Sequence, residues 1–84
     1  MTFYQLMYLS EAARCGSISQ AAKNLHISQP TLSESIQELE KEYSIHIFLR
    51  SNKGITLTQE GSDFLTYARR ILSDAEEMKR LFID

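Results

Sequence analysis

Apolar residues return at helical spacing from Phe3 through Leu6, Met7 and Ala13, and the pattern stops at Arg14-Cys15-Gly16. That spacing predicts a helix with one buried stripe, closed by a basic residue and a helix-ending glycine. Ser17 and Ser19 are both candidate N-caps for a short second helix, Gln20-Ala21-Ala22-Lys23-Asn24-Leu25, whose two alanines permit close approach of another helix. His26-Ile27 leaves space only for a tight connection before Ser28, whose hydroxyl can cap a third helix. Pro30 fits in the first turn of that helix, where its missing N–H has no partner to lose. Leu32, Ile36, Leu39 and Tyr43 form the inward stripe and leave Gln29, Pro30, Ser33, Glu34 and Gln37 on an outward face that is polar but hardly charged.

Past Tyr43 the period changes. Ile45-His46-Ile47-Phe48-Leu49 and Ile55-Thr56-Leu57-Thr58 are β-prone and flank the turn formers Ser51-Asn52-Lys53-Gly54, which predicts a small hairpin. Thr58 can then cap a long helix in which Gly61, Phe64, Ala68, Ile71, Ala75, Met78 and Phe82 alternate at three and four, a heptad-like seam that a lone chain cannot cover. Two short helices joined by a tight turn, the second opening with small polar side chains, form the helix-turn-helix layout that sets a helix N-terminus in a DNA major groove. The hairpin that follows makes it winged. The expected fold is therefore mainly α, a winged helix-turn-helix of three helices plus a β-hairpin wing, followed by a long C-terminal dimerisation helix. Residues 1–58 would form the DNA-binding part and residues 59–84 the linker and dimerisation helix of the same compact unit.

Composition narrows the alternatives. Eighty-four residues, 43% hydrophobic and 24% charged, suit one folded domain and exclude a disordered tail or a disulfide scaffold. The single cysteine, Cys15, cannot form an internal disulfide, and the chain does not open like a signal peptide, which points to the cytosol. No apolar run approaches the roughly 20 residues needed to cross a bilayer. His26 and His46 have no companions at metal-ligand spacing, and Cys15 has no sequence pointer to a histidine partner. No catalytic residue, metal or cofactor is expected.

The net charge of −2 argues against nucleic acid, because phosphate binders usually carry a basic surplus. Position matters more than the sum. Asp74, Glu76, Glu77 and Asp84 fall in the terminal helix, away from the reading helix, whereas Glu38, Glu40 and Glu42 surround Lys41 on the third helix and predict weak non-specific binding. A protein-interaction module that no longer binds DNA is the rival reading, and the negative charge is its support.

The stretch Ala21-Ala22-Lys23-Asn24-Leu25-His26-Ile27-Ser28-Gln29-Pro30-Thr31-Leu32-Ser33 closely resembles the helix-turn-helix core of LysR-type transcriptional regulators. Ile36-Gln37-Glu38-Leu39-Glu40, Ile47-Phe48-Leu49-Arg50 and Leu57-Thr58-Gln59-Glu60-Gly61 resemble the family's later N-terminal signatures in the same order. Linked motifs in register are far more specific than one helix-turn-helix pattern. The resemblance implies the operator-binding part of a regulator, with double-stranded DNA bearing an inverted repeat as partner. The seam of the terminal helix predicts a homodimer, and the resemblance implies two such dimers in the full regulator and a small effector bound only through a C-terminal domain missing here.

Residue by residue, it implies that Gln29, Pro30 and Ser33 face bases and that Thr31 touches the DNA backbone. Lys53 would enter a neighbouring minor groove, and Arg50 would hold a phosphate or brace the wing. The dimer seam would run through Phe64, Ala68, Ile71, Ala75, Met78 and Phe82, antiparallel in order. Two positions depart from the family pattern. Glu34 stands where a basic or neutral polar residue is frequent, and either accepts a hydrogen bond from cytosine N4 or repels phosphate. Tyr43-Ser44 replaces a frequent Leu-Gly ending of the third helix.

Overall fold

The computed structural model describes residues 1–83, so the expectation placed on Asp84 lies outside the described residues. Four helices and one hairpin follow in the order α1 (Phe3–Cys15), α2 (Ile18–Leu25), α3 (Gln29–Tyr43), β1 (Phe48–Ser51), β2 (Gly54–Leu57) and α4 (Gln59–Phe82). Each helix begins where a hydroxyl replaces a missing backbone partner. Thr2 accepts from the Gln5 N–H, and the Gln5 side chain accepts from the Thr2 N–H in return, a complete capping box. Ser17, Ser28 and Thr58 accept from the N–H groups of Gln20, Thr31 and Gly61. Ser17 rather than Ser19 therefore caps α2, and the helix starts at Ile18, two residues earlier than the Gln20 start the sequence suggests.

The helix ends use the left-handed region at Gly16 (φ 65°), His26 (φ 59°) and Ser44 (φ 54°). Only glycine adopts it without a Cβ penalty. Ser44 thus closes α3 in the manner of the glycine it replaces, its N–H directed at the carbonyls of Glu40 and Lys41. A non-glycine residue there costs about 1–2 kcal/mol, and the greater freedom of glycine in the unfolded chain offsets roughly 0.5–1 kcal/mol of any gain. Ser44→Gly is accordingly expected to raise stability by about 0.5–1 kcal/mol, read as a higher urea midpoint at unchanged slope. A lower midpoint would show that the Ser44 side chain stabilises the native state.

The core joins Leu6, Leu9 and Ala12 of α1, Ala21 and Ala22 of α2, and Leu32, Ile36 and Leu39 of α3 to Ile47, Phe48 and Ile55 of the hairpin region and Leu65 and Ala68 of α4. Three positions read as inward, Phe3, Met7 and Tyr43, stand outside it. Phe3 and Met7 are 42% and 40% exposed, because the inner line of α1 runs through residues 6, 9 and 12. Tyr43 lies at the rim, its ring edge-on to Phe64 at 5.0 Å. Across the α1–α2 contact Glu11 accepts from Arg14 at 2.6 and 2.8 Å and from Asn24 at 2.8 Å, and these partners, Arg14 foremost, hold its carboxyl at about 2. Burial and Glu11 push the neighbouring Cys15 thiol up, which keeps it protonated.

The hairpin pairs Phe48 with Leu57 and Ser51 with Gly54 in antiparallel register, closed by Asn52-Lys53. Ile45 to Ile47, expected in the first strand, remain outside it because α3 captures them. The Ile45 N–H donates to the Glu40 carbonyl at 3.0 Å, and the Glu40 carboxylate accepts from the Ile47 N–H at 2.7 Å. At the other end, the Ile55 N–H donates to the Gly16 carbonyl at 3.1 Å, and a Cβ on Gly54 would lie 2.4 Å from that same oxygen. The wing is thus pinned to the α1–α2 turn.

The start of α4 is held as tightly. The Thr58 N–H donates to the Ile47 carbonyl at 3.0 Å, and the Thr58 hydroxyl donates to the His46 carbonyl. The helix then passes so close that a Cβ on Gly61 would lie 2.0 Å from the Ile47 oxygen. Gly61, Leu65 and Ala68 are buried and Leu72 is partly so; beyond Leu72 most of the helix lies exposed.

Ala68, expected in the dimer seam, is 2% exposed and buried in the chain's own core. Phe64 is half-buried against Tyr43, while Ile71, Met78 and Phe82 are 44%, 62% and 83% exposed and Ala75 is intermediate. The single seam read from the sequence is two stripes. Residues 61, 65, 68 and 72 face inward, and residues 71, 75, 78 and 82 face outward, displaced by roughly 80° at about 100° per residue.

Candidate nucleic-acid interface

The α2–α3 turn sets the attitude of α3. The His26 N–H donates to the Lys23 carbonyl at 3.2 Å, and the Ile27 N–H donates to the Ala22 carbonyl at 3.0 Å. These bonds close the turn in three residues and leave the first turn of α3 unobstructed. Gln29, Pro30, Glu34 and Gln37 are exposed and Ser33 is half-exposed, as the outward face requires. Thr31 is committed locally: its hydroxyl accepts from Ser28 at 2.8 Å and its N–H donates to Ser28 at 3.1 Å.

A recess of about 370 Å³ separates the wing from the N-terminal ends of α2 and α3. Gln29, Arg50 and Lys53 line it together with Ser17, Ser19 and Asn52. The structure thus brings one candidate base-reading side chain to the two candidate cations, residues more than twenty positions apart in sequence. Arg50 also reaches α3 directly, its guanidinium donating to the Ser33 hydroxyl at 3.3 Å. Of the two roles open to it, bracing the wing has this visible contact. Ser17, Ser19 and Asn52 line the same recess, although the sequence does not single them out for it. Their hydroxyl and amide side chains read as caps and turn formers, and only the fold places them beside the cations.

Glutamates on α3 would oppose a polyanion, yet most are turned to other work. Glu38 accepts from the Gln5 side-chain amide at 2.9 Å, Glu40 from the Ile47 N–H at 2.7 Å, and Glu42 from the Met1 ammonium at 2.6 Å. Among the described residues, no group of three His, Cys, Asp or Glu side chains could hold a metal ion, and no helix is long and apolar enough to cross a membrane.

The profile of a family described as "Bacterial regulatory helix-turn-helix protein, lysR family" matches residues 3–62. The chain belongs to the LysR family. Its LysR relatives include the HTH-type transcriptional regulator CzcR of Bacillus cereus, 38% identical over 84 residues, which are 100% of this chain and 29% of CzcR. Another is the HTH-type transcriptional regulator ClcR of Pseudomonas putida, 43% identical over 76 residues, 90% of this chain and 26% of that protein. The chain therefore spans less than a third of the curated relatives it matches.

Solved LysR structures agree on the fold. The DNA-binding domain of CbnR, in a complex with DNA, superposes with a TM-score of 0.91 at 41% identity, covering 95% of this chain and 92% of that one. The corresponding domain of BenM, bound to its catB site 1 DNA, superposes with a TM-score of 0.92 at 34% identity, covering 96% and 91%. The winged helix-turn-helix with a long final helix is thus the LysR DNA-binding fold.

Proposed function

We propose that this chain is the operator-recognition part of a LysR-type transcriptional regulator. It binds double-stranded DNA by laying the start of α3 in the major groove and the hairpin against the adjacent minor groove. The observation that carries this reading is the recess that joins Gln29 on α3 to Arg50 and Lys53 on the wing, a polar reading edge beside two cations. The DNA complexes of the CbnR and BenM domains support it.

Gln29 offers an amide suited to adenine, Ser33 a hydroxyl that serves several bases, and Pro30 an apolar surface. Thr31, tied to the cap of α3, lies where the helix N-terminus meets the DNA backbone, and Arg50 braces the wing through Ser33. Two chains paired through the outward stripe of α4 present two reading helices to an inverted repeat, with half-sites separated by whole helical turns. A tetramer and a small-molecule effector belong to the longer regulator of which this sequence matches the DNA-binding part. The activity is binding and involves no chemistry, and it operates in the cytoplasm.

The test is binding to selected and random duplexes across a salt series. The selected duplex is expected to bind more tightly at every salt, and equal binding overturns sequence recognition. In the same series Lys53→Ala is expected to weaken binding on both duplexes and to lower the slope of log affinity against log salt by about one. An unchanged slope removes Lys53 from the interface.

A further inference from the structure

The fold uses three of the four glutamates of α3 and leaves one. Glu38, Glu40 and Glu42 each accept a hydrogen bond from elsewhere in the chain, whereas Glu34 has neither a hydrogen bond nor an ion pair among the described residues. It is exposed on the outward face, one turn after Pro30 and one turn before Gln37. The one cation shown to reach α3 from the wing, Arg50, donates to Ser33 instead. A carboxylate without a partner in the chain makes no contact that holds the fold together, and it repels the phosphates of any duplex that approaches.

A major groove offers a carboxylate few partners. Its base-edge donors are the exocyclic amines, N4 of cytosine and N6 of adenine, while guanine and thymine present acceptors. Adenine sets the N7 acceptor beside its amine, so a carboxylate meets one attraction and one repulsion there. Cytosine presents the amine alone. Building on the DNA-binding role proposed above, we propose that Glu34 is a specificity residue. It requires an exocyclic amine, cytosine foremost, at one position of each operator half-site and rejects guanine and thymine there. The same charge lowers affinity for every other sequence, so Glu34 widens the gap between operator and random DNA.

Duplexes selected from a random pool by the wild-type chain and by Glu34→Gln test this. The amide has nearly the same shape but donates as well as accepts. The wild-type pool is expected to show one position per half-site rich in cytosine and poor in guanine and thymine. In the Glu34→Gln pool that position alone loses its bias, by roughly tenfold or more in the ratio of cytosine to guanine, while the other positions keep theirs. Glu34→Ala is expected to bind random duplex more tightly and the selected duplex less tightly than wild type, at an unchanged melting temperature. Identical pools from the two proteins overturn the assignment and leave the DNA-binding reading standing. So does tighter binding of Glu34→Ala to both duplexes, which is simple phosphate repulsion. A wild-type chain that selects no sequence overturns the DNA-binding reading and this inference with it.

Discussion

Gly61→Ala is expected to destabilise the domain by about 2 kcal/mol net, from an overpacking cost of about 3 kcal/mol at the upper end of the usual range. The added methyl would sit 2.0 Å from the Ile47 carbonyl oxygen, an atom that cannot yield cheaply because it also accepts the Thr58 N–H at 3.0 Å. Relief by moving α4 would break the Gly61 N–H bond to the Thr58 hydroxyl at 2.8 Å and draw Leu65 and Ala68 out of the core. Alanine's better helix propensity returns only about 1 kcal/mol. For a domain of this size, with total stability of roughly 0.05–0.15 kcal/mol per residue, the net loss is a large fraction of the whole. Urea denaturation should show a much lower midpoint, and a midpoint at or above that of the wild type would mean that helix propensity outweighs the clash.

Ile71→Asp is expected to leave the folded chain intact and to remove most of its operator affinity. Ile71 is 44% exposed and lies on the outward stripe with Ala75, Met78 and Phe82, so an aspartate there remains solvated in one chain and becomes a buried, unpaired charge between two. Joining two reading helices raises affinity by about 10²–10⁴ over one, and that factor is what the substitution removes. Sedimentation equilibrium should shift toward monomer while the helix content of the chain stays put, and the melting temperature should fall only by the concentration-dependent share that pairing contributes. A wild-type chain that sediments as a monomer at tens of micromolar rules out pairing through this stripe. Ala68 would be an uninformative choice, since a charge there disrupts the core whether or not a partner exists.

Much of this architecture was legible because it is local. Ser28 and Thr58 announce their helices, the 32-36-39 stripe announces the inward face of α3, and the turn formers at 51–54 announce the hairpin, each through neighbours a few residues apart. What escaped reading depends on contacts between distant segments. The pattern 61-64-68-71-75-78-82 is a correct list of apolar positions, yet periodicity alone cannot say that residues 61 and 68 face the chain's own core while 71 and 78 face away. Glu40 reads as one acid among several until Ile47 is seen to donate to it. The interface shows the same division. Gln29, Arg50 and Lys53 could be named from residue type and resemblance, but their meeting in one recess with Ser17, Ser19 and Asn52 is a product of tertiary folding.

The close passage of Gly54 over Gly16, sealed by the Ile55 N–H, fastens the hairpin to the turn that precedes the reading helices. These contacts, with the Arg50 guanidinium on the Ser33 hydroxyl at 3.3 Å, hold the wing and the start of α3 in one frame, so the fold sets the length between the two proposed DNA contacts. Any duplex that is to touch both must match that length, and one that does not must bend or change its groove width to do so. Stiff and flexible base steps differ in what such deformation costs, so base pairs lying between the two contacts influence affinity although no side chain reaches them.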